Sequence, residues 1–387
     1  DGSLLWNRVL WIAISIGVFA FGYLRFSFHD RKQKAASLAE ENEVVARRTE
    51  ALPAVRRRYG RWARWKQFRH QVRMDLRSIV TGPVFIIVML LGVAELISSL
   101  TFVTSMYENT TFPVTYNVVD MIQGSLFLYV IIIVTFYSGA LIWKDREAGL
   151  DDIKDALPTR SWQGLLAKFT TMLVLLFIIL LLATGAGVIT QLLNGYTNLE
   201  PSVYLYYLII PALLSFGFLC MLAIFLHTLV NNKYLGYFAF VVVVALNIFL
   251  WPGVDIESNL VKLNGSPGLR YSDMSHYGPF VRAWVFFRIY WWVFGAILLL
   301  LSYIFLVRGR ETAFGKRLRF AGSRLRRAWS IATVLVIAWI VLGAWGYYNT
   351  KVLNTYRTSD ETEDLQVRYE KDYKRFEGIP QPHYTDL

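Results

Sequence analysis

Eight long apolar runs govern what this chain can become, at roughly 4–24, 82–101, 118–143, 165–193, 204–230, 233–251, 284–307 and 328–348. About 20 helical residues cross a hydrocarbon core, so an apolar run of about 18 or more reads as a membrane span. Several of the runs exceed the length of a buried core helix in a soluble protein. Only 18% of the residues are charged, against roughly 25% in an ordinary soluble domain. The expected class is an all-α polytopic membrane protein with about eight transmembrane helices.

Lysine and arginine placement predicts which side each connection faces. With the N-terminus outside, the connections 25–77, 144–168, 231–233 and 308–327 share one side and hold 29 Lys and Arg; the connections 102–117, 194–203 and 252–283 hold 3. Basic connections stay in the cytoplasm, so the first set is expected there. The net charge of +12 is then a feature of span-flanking segments, which favour anionic lipid headgroups. Because the charge is confined to those segments, nucleic-acid binding is set aside. The single cysteine, Cys220, lies inside the fifth run, which excludes a disulfide framework and a thiolate metal site. The chain opens on Asp1 with no basic segment before its first apolar run, so a fragment of a longer protein is expected rather than a signal peptide.

Residues 25–81 divide into two pieces. A-S-L-A-E-E-N-E-V-V-A-R-R-T-E-A-L-P reads as a solvated helix stopped at Pro53. R-W-A-R-W-K-Q-F-R-H-Q-V-R-M-D-L-R then places Trp62, Trp65, Phe68, Val72 and Leu76 near one face with arginines around them. Aromatic anchors on a cationic helix suit the membrane interface; the plainer alternative is a basic solvated helix. A weak internal echo links the end of the first run, L-R-F-S-F-H-D-R-K-Q-K, to the end of the seventh, L-V-R-G-R-E-T-A-F-G-K-R. It divides the chain into a last span of a preceding unit (1–24), a linker with the interfacial helix (25–81) and a six-span unit (82–307). A basic cytoplasmic loop (308–327), an extra outward span (328–348) and an external stalk (349–387) follow. The stalk carries a helix expected over about 359–376, whose few apolar positions are Leu365, Val367, Tyr369, Tyr373 and Phe376, and leads toward a further folded domain.

The connection W-K-D-R-E-A-G-L-D-D-I-K-D-A-L-P, 143–158, packs five acids between two spans. Leu150, Ile153 and Leu157 recur at helical spacing, with Asp151, Asp152 and Asp155 on other faces and Pro158 as a stop. A short helix with an apolar ridge at the mouth of two spans has the form of a docking helix. A solvated turn helix is the alternative.

Six spans, an interfacial helix before the first, a short helix between the second and third, and a long external connection before the last resemble a permease of the type-2 ABC exporter class. More narrowly, W-K-D-R-E-A-G-L-D-D-I-K-D-A-L-P followed by Q-L-L-N-G-Y-T-N-L-E, with Y-Y-N-T-K-V-L-N-T-Y before the acidic helix, is similar to bacterial ABC permeases fused to an aminopeptidase N-type zinc metallopeptidase. The resemblance implies a cytoplasmic (inner) membrane location and an ABC ATPase dimer on the cytoplasmic side, binding ATP and Mg and docking on Trp143, Asp145, Arg146, Glu147, Leu150, Asp151, Asp152, Ile153, Asp155 and Leu157. It also implies a second permease unit, in the same chain or as a homodimer, and zinc only in a peptidase domain beyond Leu387. The chain itself departs from a catalytic pattern. It holds no H-E-x-x-H, its five histidines (His29, His70, His227, His276, His383) are scattered, and G-R-E-T-A-F-G-K-R at 309–317 has the wrong spacing for a P-loop. No cofactor is expected in the chain, and no enzyme activity.

Glu95, Asp120, Arg282 and Arg288 are the candidate transport-path residues, and Glu95 is deep enough to need a partner, for which Arg288 is at similar depth. Other end-of-span polar groups, His227 among them, are expected to snorkel or pair. Gly185 and Gly187 suit close helix packing, and Y-L-Y-Y at 204–207 with Trp291 and Trp292 suit interface anchoring. The connection 252–283 is long, with four glycines and three prolines, and is expected to be functional. The resembled exporters imply short external helices there that dip toward the bilayer, with Y-G-P-F-V-R-A-W-V-F-F-R-I-Y-W-W as a re-entrant turn. Two other functional classes stay open: an anchoring and regulatory module for an external zinc aminopeptidase, and an ion-coupled secondary transporter using Glu95 and Asp120.

Overall fold

The computed structural model describes residues 2–25, 60–103, 105–106, 109–110, 112–157, 159–254, 256–269, 271–272, 274–278, 280–306 and 314–379. The solvated helix expected before Pro53 lies outside them. The chain divides into two units, 1–59 and 60–387. In the first, α1 (Gly2–Arg25) covers the expected 4–24 run, but its apolar stretch, Arg8–Phe21, is too short to count as a span. Arg8 and Asn7 cut into its first two turns. Seven helices among the described residues, rather than eight, are long and apolar enough to cross a membrane, all of them in the second unit. The protein is a multi-pass, helical membrane protein.

The second unit opens with α2 (Arg61–Val80), and a turn at Thr81–Gly82 leads into α3 (Pro83–Val103). A two-residue antiparallel ribbon, β1 (Ser105–Met106) with β2 (Asn109–Thr110), precedes α4 (Thr115–Glu147). The short α5 (Asp151–Ala156) and α6 (Ser161–Leu193) follow. Then come α7 (Pro201–Val230), α8 (Lys233–Gly253), α9 (Phe280–Phe305), α10 (Phe314–Tyr347) with a π-helical end at Tyr348–Leu353, and α11 (Ser359–Lys374).

The centre of the bundle is α7. A helix that is apolar all round has no face for water, and 67% of the apolar stretch of α7 is buried, against 6% for α10. Phe218, Cys220, Met221, Ala223 and Ile224 are buried on all its sides. α4, α6, α8 and α9 surround it, α3 packs on α4 and α6, and α10 lies against α9, with Trp339 stacked on Tyr290 at 5.7 Å. Pro211 has no N–H to give the carbonyl of Tyr207 one turn earlier. Gln123 Nε2, from α4, donates to that carbonyl at 2.7 Å, within the π-helical stretch Tyr204–Ile209.

Tyr204 and Tyr207, expected as interface anchors, are buried instead. Tyr204 donates to Gln191 Oε1 at 2.8 Å, and Gln191 Nε2 donates to the Pro113 carbonyl at 3.0 Å. This buried amide cluster ties α4, α6 and α7 at the end away from the basic connections. Trp291 and Trp292 likewise turn inward, their indole N–H groups donating to the carbonyls of Asn259 (3.2 Å) and Leu214 (2.8 Å).

At the basic end, the segment expected as the 308–327 loop is helical from Phe314 onward. Buried Arg317 donates to the carbonyls of Thr228, Leu229 and Phe305, and Arg324 to those of Tyr303, Ile304 and Leu306. A guanidinium suits the C-termini of α7 and α9, where carbonyls lack helical partners and the dipole is negative. α11 matches the expected stalk helix, begun by a Thr358–Glu361 capping box. Its first amide, Ser359 N, donates to Glu257 at 3.0 Å, and hydrogen bonding from Ser359, its side chain first and its amide second, holds that carboxyl below its usual range.

The two glycines of A-T-G-A-G separate in role. A Cβ on Gly187 would come within 2.9 Å of Val118 and Ile122, whereas one on Gly185 meets nothing within 4 Å. Gly187→Val is expected to lower unfolding stability by about 1–3 kcal/mol through overpacking, with Gly185→Val close to wild type. Thermal unfolding of the two variants in detergent checks this.

Candidate functional site

The 143–158 connection forms the most built feature of the basic end. α4 ends because Gly149 takes a left-handed turn, φ +66°, that returns the Leu150 N–H to the Asp145 carbonyl at 2.9 Å. The chain then makes the six-residue α5, with Asp151 and Asp152 in its first turn. Its apolar ridge points outward: Leu150 is 52% exposed, Ile153 65% and Leu157 49%. The helix and ridge read from the spacing are present.

The charges of the same stretch divide by role. Asp145 is shared by two cations: Lys154 of α5 binds it directly, and Lys168 of α6 lies 3.7 Å away. Lys168 is buried and also donates to the Leu141 carbonyl of α4. Arg146 donates to Asn231 Oδ1 at 2.7 Å, at the left-handed cap of α7, and its guanidinium lies over the Trp143 ring at 4.9 Å. Glu147 pairs with Lys233 of α8 at 2.5 Å. Lys144 pairs with buried Asp75 of α2 at 3.1 Å. Lys144, Asp145, Arg146 and Glu147 thus tie the connection to α2, α6, α7 and α8, although Glu147 itself stays exposed. Asp152 is exposed, and Asp151 and Asp155 are half-buried around α5. A cavity of about 380 Å³ lies beneath α5, lined by His70, Trp143, Arg146, Asp151, Arg160 and Lys168 among others.

α2 packs on α6, with Gln163 Nε2 donating to the Arg64 carbonyl at 2.9 Å. Its expected apolar face is split. Phe68, Val72 and Leu76 are half-buried, with Asp75 and Ile79 buried beside them. Trp62 and Trp65 stay exposed among Lys66, Arg69 and Arg73. Trp65 still stacks on Phe68 at 5.6 Å.

The four transport-path candidates are not brought together. Glu95 on α3 accepts from its own neighbour Ser99 at 2.9 Å, and Asp120 and Arg282 are exposed. Arg288 is buried and bound to Asn264 and Ser266, so the expected Glu95–Arg288 pair does not form. The reason is packing: α3 contacts α4 and α6, whereas α9 contacts α7 and α10. Arg282 and Arg288 are six residues apart, about 240° around a helix, so they face different surroundings. Neither Arg288 nor His227 snorkels. His227 is fully buried, its ring close against Gly139 and Gly236 and edge-on to Tyr237 at 5.1 Å.

Sequence reasoning missed Lys154, Lys168, Asp75, Asn231 and Asn264. Lysines near a span end look alike on a sidedness count, and their contacts span 9 to 85 residues of chain. Among the described residues no group of three His, Cys, Asp or Glu is placed to hold a metal ion. Comparison with protein-family models and with curated proteins finds no match for the chain.

Asp145→Asn is expected to cost about 2–4 kcal/mol of stability, because Lys168 is left buried beside a neutral amide. Asp145 is itself partly exposed, which keeps the effect below that of a fully buried pair. A double-mutant cycle with Lys154→Met, followed by thermal unfolding, checks the coupling.

Proposed function

We propose that this chain is the transmembrane permease part of an ATP-driven exporter of the type-2 ABC class, with α5 as the element that a partner ATPase dimer pushes. One observation carries the reading: a six-residue helix exposes an apolar ridge at Leu150 and Ile153 while ion pairs fix its flanks to four other helices. Loose loops absorb motion, whereas a clamped helix passes a push on. Asp145 with Lys154 and Lys168 carries it to α4 and α6, and Arg146 with Asn231 carries it to the end of α7. Exposed Asp152, with half-buried Asp151 and Asp155 beside the ridge, suits a basic rim on the partner groove, where charge sets register more than affinity. ATP and Mg belong to that partner. A second permease unit, in the same protein or a second copy, completes the pathway.

In this reading the basic end lies in the cytoplasm of a bacterial inner membrane. Trp62 and Trp65 of α2 rest in the headgroup layer, where aromatic rings and arginines both find partners. A second reading is favoured by α10, whose apolar stretch is only 6% buried and packs along one side, against α9. It suits a tether that holds α11, and an external zinc aminopeptidase, at the membrane.

Two measurements test these assignments. Leu150→Asp with Ile153→Asp is expected to abolish stimulation of the partner's ATP hydrolysis in the reconstituted complex while leaving the bundle folded. Wild-type stimulation by that variant rejects the docking role. For sidedness, a cysteine at Ser359→Cys is expected to react with a membrane-impermeant maleimide in intact cells. The native Cys220 is fully buried and gives no background. Labelling only after lysis inverts the proposed topology.

A further inference from the structure

The described residues of the 254–278 connection do not form the expected short helices, and Phe280–Phe305 is one continuous helix rather than a re-entrant turn. The connection nevertheless reaches deep into the bundle as irregular turns. Asn264 Nδ2 donates to the carbonyl of Ser215 at 3.0 Å, and Ser215 lies about 21 Å along α7 from Pro201. Asn247 of α8 clasps Leu263 through both its N–H and its C=O, at 2.9 and 3.0 Å. Irregular backbone at membrane depth survives only when protein covers it or it lines a cavity. Here it does both.

That cavity, of about 340 Å³, lies between α4, α7, α9 and the connection. Its wall is largely apolar, with Leu126, Phe127, Phe216 and Leu269, and Arg288 is the one cationic group among the described residues that line it. Arg288 is 6% exposed and sits about 12 Å along α9 from the end far from the basic connections. Its guanidinium donates to Asn264 Oδ1 (2.7 Å), to the Asn264 carbonyl (3.1 Å) and to Ser266 Oγ, and lies over Trp284 at 5.4 Å. These three acceptors are neutral and leave two of its five N–H groups open, Nε among them. The ion pairs among the described residues sit at the opposite end of the bundle, and no carboxylate among the described residues acts on Arg288. A buried cation is costly unless an anion completes it.

We infer that this cavity binds the anionic headgroup of a single-chain amphiphile, a carboxylate or a phosphate, on Arg288, with the acyl chain along Leu126, Phe127 and Phe216. Phe127 is 46% exposed, so the chain leaves the cavity toward the lipid past its ring. A guanidinium fork matches either headgroup bidentately. That the amphiphile is the exported cargo rests on the exporter reading above; its binding does not.

Trp284 provides a local reporter. The full chain in an uncharged maltoside detergent is titrated with 9,10-dibromostearate, whose bromines quench tryptophan only at short range. The expected result is a saturable quenching component that Trp284→Phe removes, that oleate competes away and that uncharged mono-olein leaves in place. Arg288→Gln is expected to weaken it at least about tenfold, as loss of a charge-assisted contact does. Ala212→Phe puts a ring into the cavity while Arg288, Asn264 and Ser266 all stay unsubstituted, and is expected to remove the same component. It decides the matter if Arg288→Gln does not fold. Competition by 1-oleoyl-glycerol 3-phosphate stronger than by oleate identifies a phosphate headgroup, and the reverse a carboxylate. Wild-type quenching in Ala212→Phe, or mono-olein competing as well as oleate, overturns the inference. No ATPase enters this measurement, so its failure and the failure of the α5 docking role are seen separately.

Discussion

A backbone carbonyl left open inside a bilayer has no water to turn to, and each unsatisfied group costs several kcal/mol. In this bundle the breaks and ends are closed by side-chain donors from other helices. Gln123 serves the carbonyl that Pro211 strands, and Arg317 closes the ends of α7 and α9 together. Asn264 and Trp292 reach neighbouring carbonyls of α7 at Ser215 and Leu214. Each such donor joins two elements, so closing the backbone also fixes which helices are neighbours. Helix association in lipid gains little from hydrophobicity itself, which makes these donors and close van der Waals contacts the terms that remain.

The two ends of the bundle answer that constraint differently. One end uses charge: Asp75, Lys144, Asp145, Lys154, Lys168, Glu147 and Lys233 form pairs among five elements at the edge of the apolar region. The other uses neutral amides and hydroxyls, Gln191 with Thr115 and Tyr204, packed beside Gly187. Ion pairs are tolerable where water is near and Lys144 and Glu147 remain partly exposed; deeper in, a neutral network costs less to bury. Arg288 breaks this division. Among the described residues its acceptors are neutral, and it lies far from the charged end.

Seven of the eight apolar runs, the short helix at 151–156 and the stalk helix at 359–374 were legible because each rests on local information: run length, helical spacing, and a Thr-x-x-Glu cap. The failures have a common cause. Trp291, Trp292, Tyr204 and Tyr207 look like interface anchors to any rule that sees only their chemistry and their nearness to a span end. In the fold they turn inward because a carbonyl or an amide waits there. The charges of 143–158 were read as one surface, since periodicity separates faces of a helix but does not say which face meets protein. The Glu95–Arg288 pairing failed for the same reason: similar depth does not make two helices adjacent.

The sequence by itself determined that this chain is a helical, multi-pass membrane protein with its basic residues gathered on one side, because span length and charge placement are properties of the chain alone. It also determined that a short helix with an apolar ridge follows α4. Only the tertiary structure decided that Asp145, Arg146 and Glu147 are engaged in pairs with other helices, leaving Leu150 and Ile153 as the apolar exposed surface. Only it placed Asn264 at the middle of α7 and left Arg288 without a carboxylate among the described residues. Those outcomes depend on which helices touch, and contacts between residues 24 to 88 positions apart leave no periodic trace in the sequence for a local rule to read.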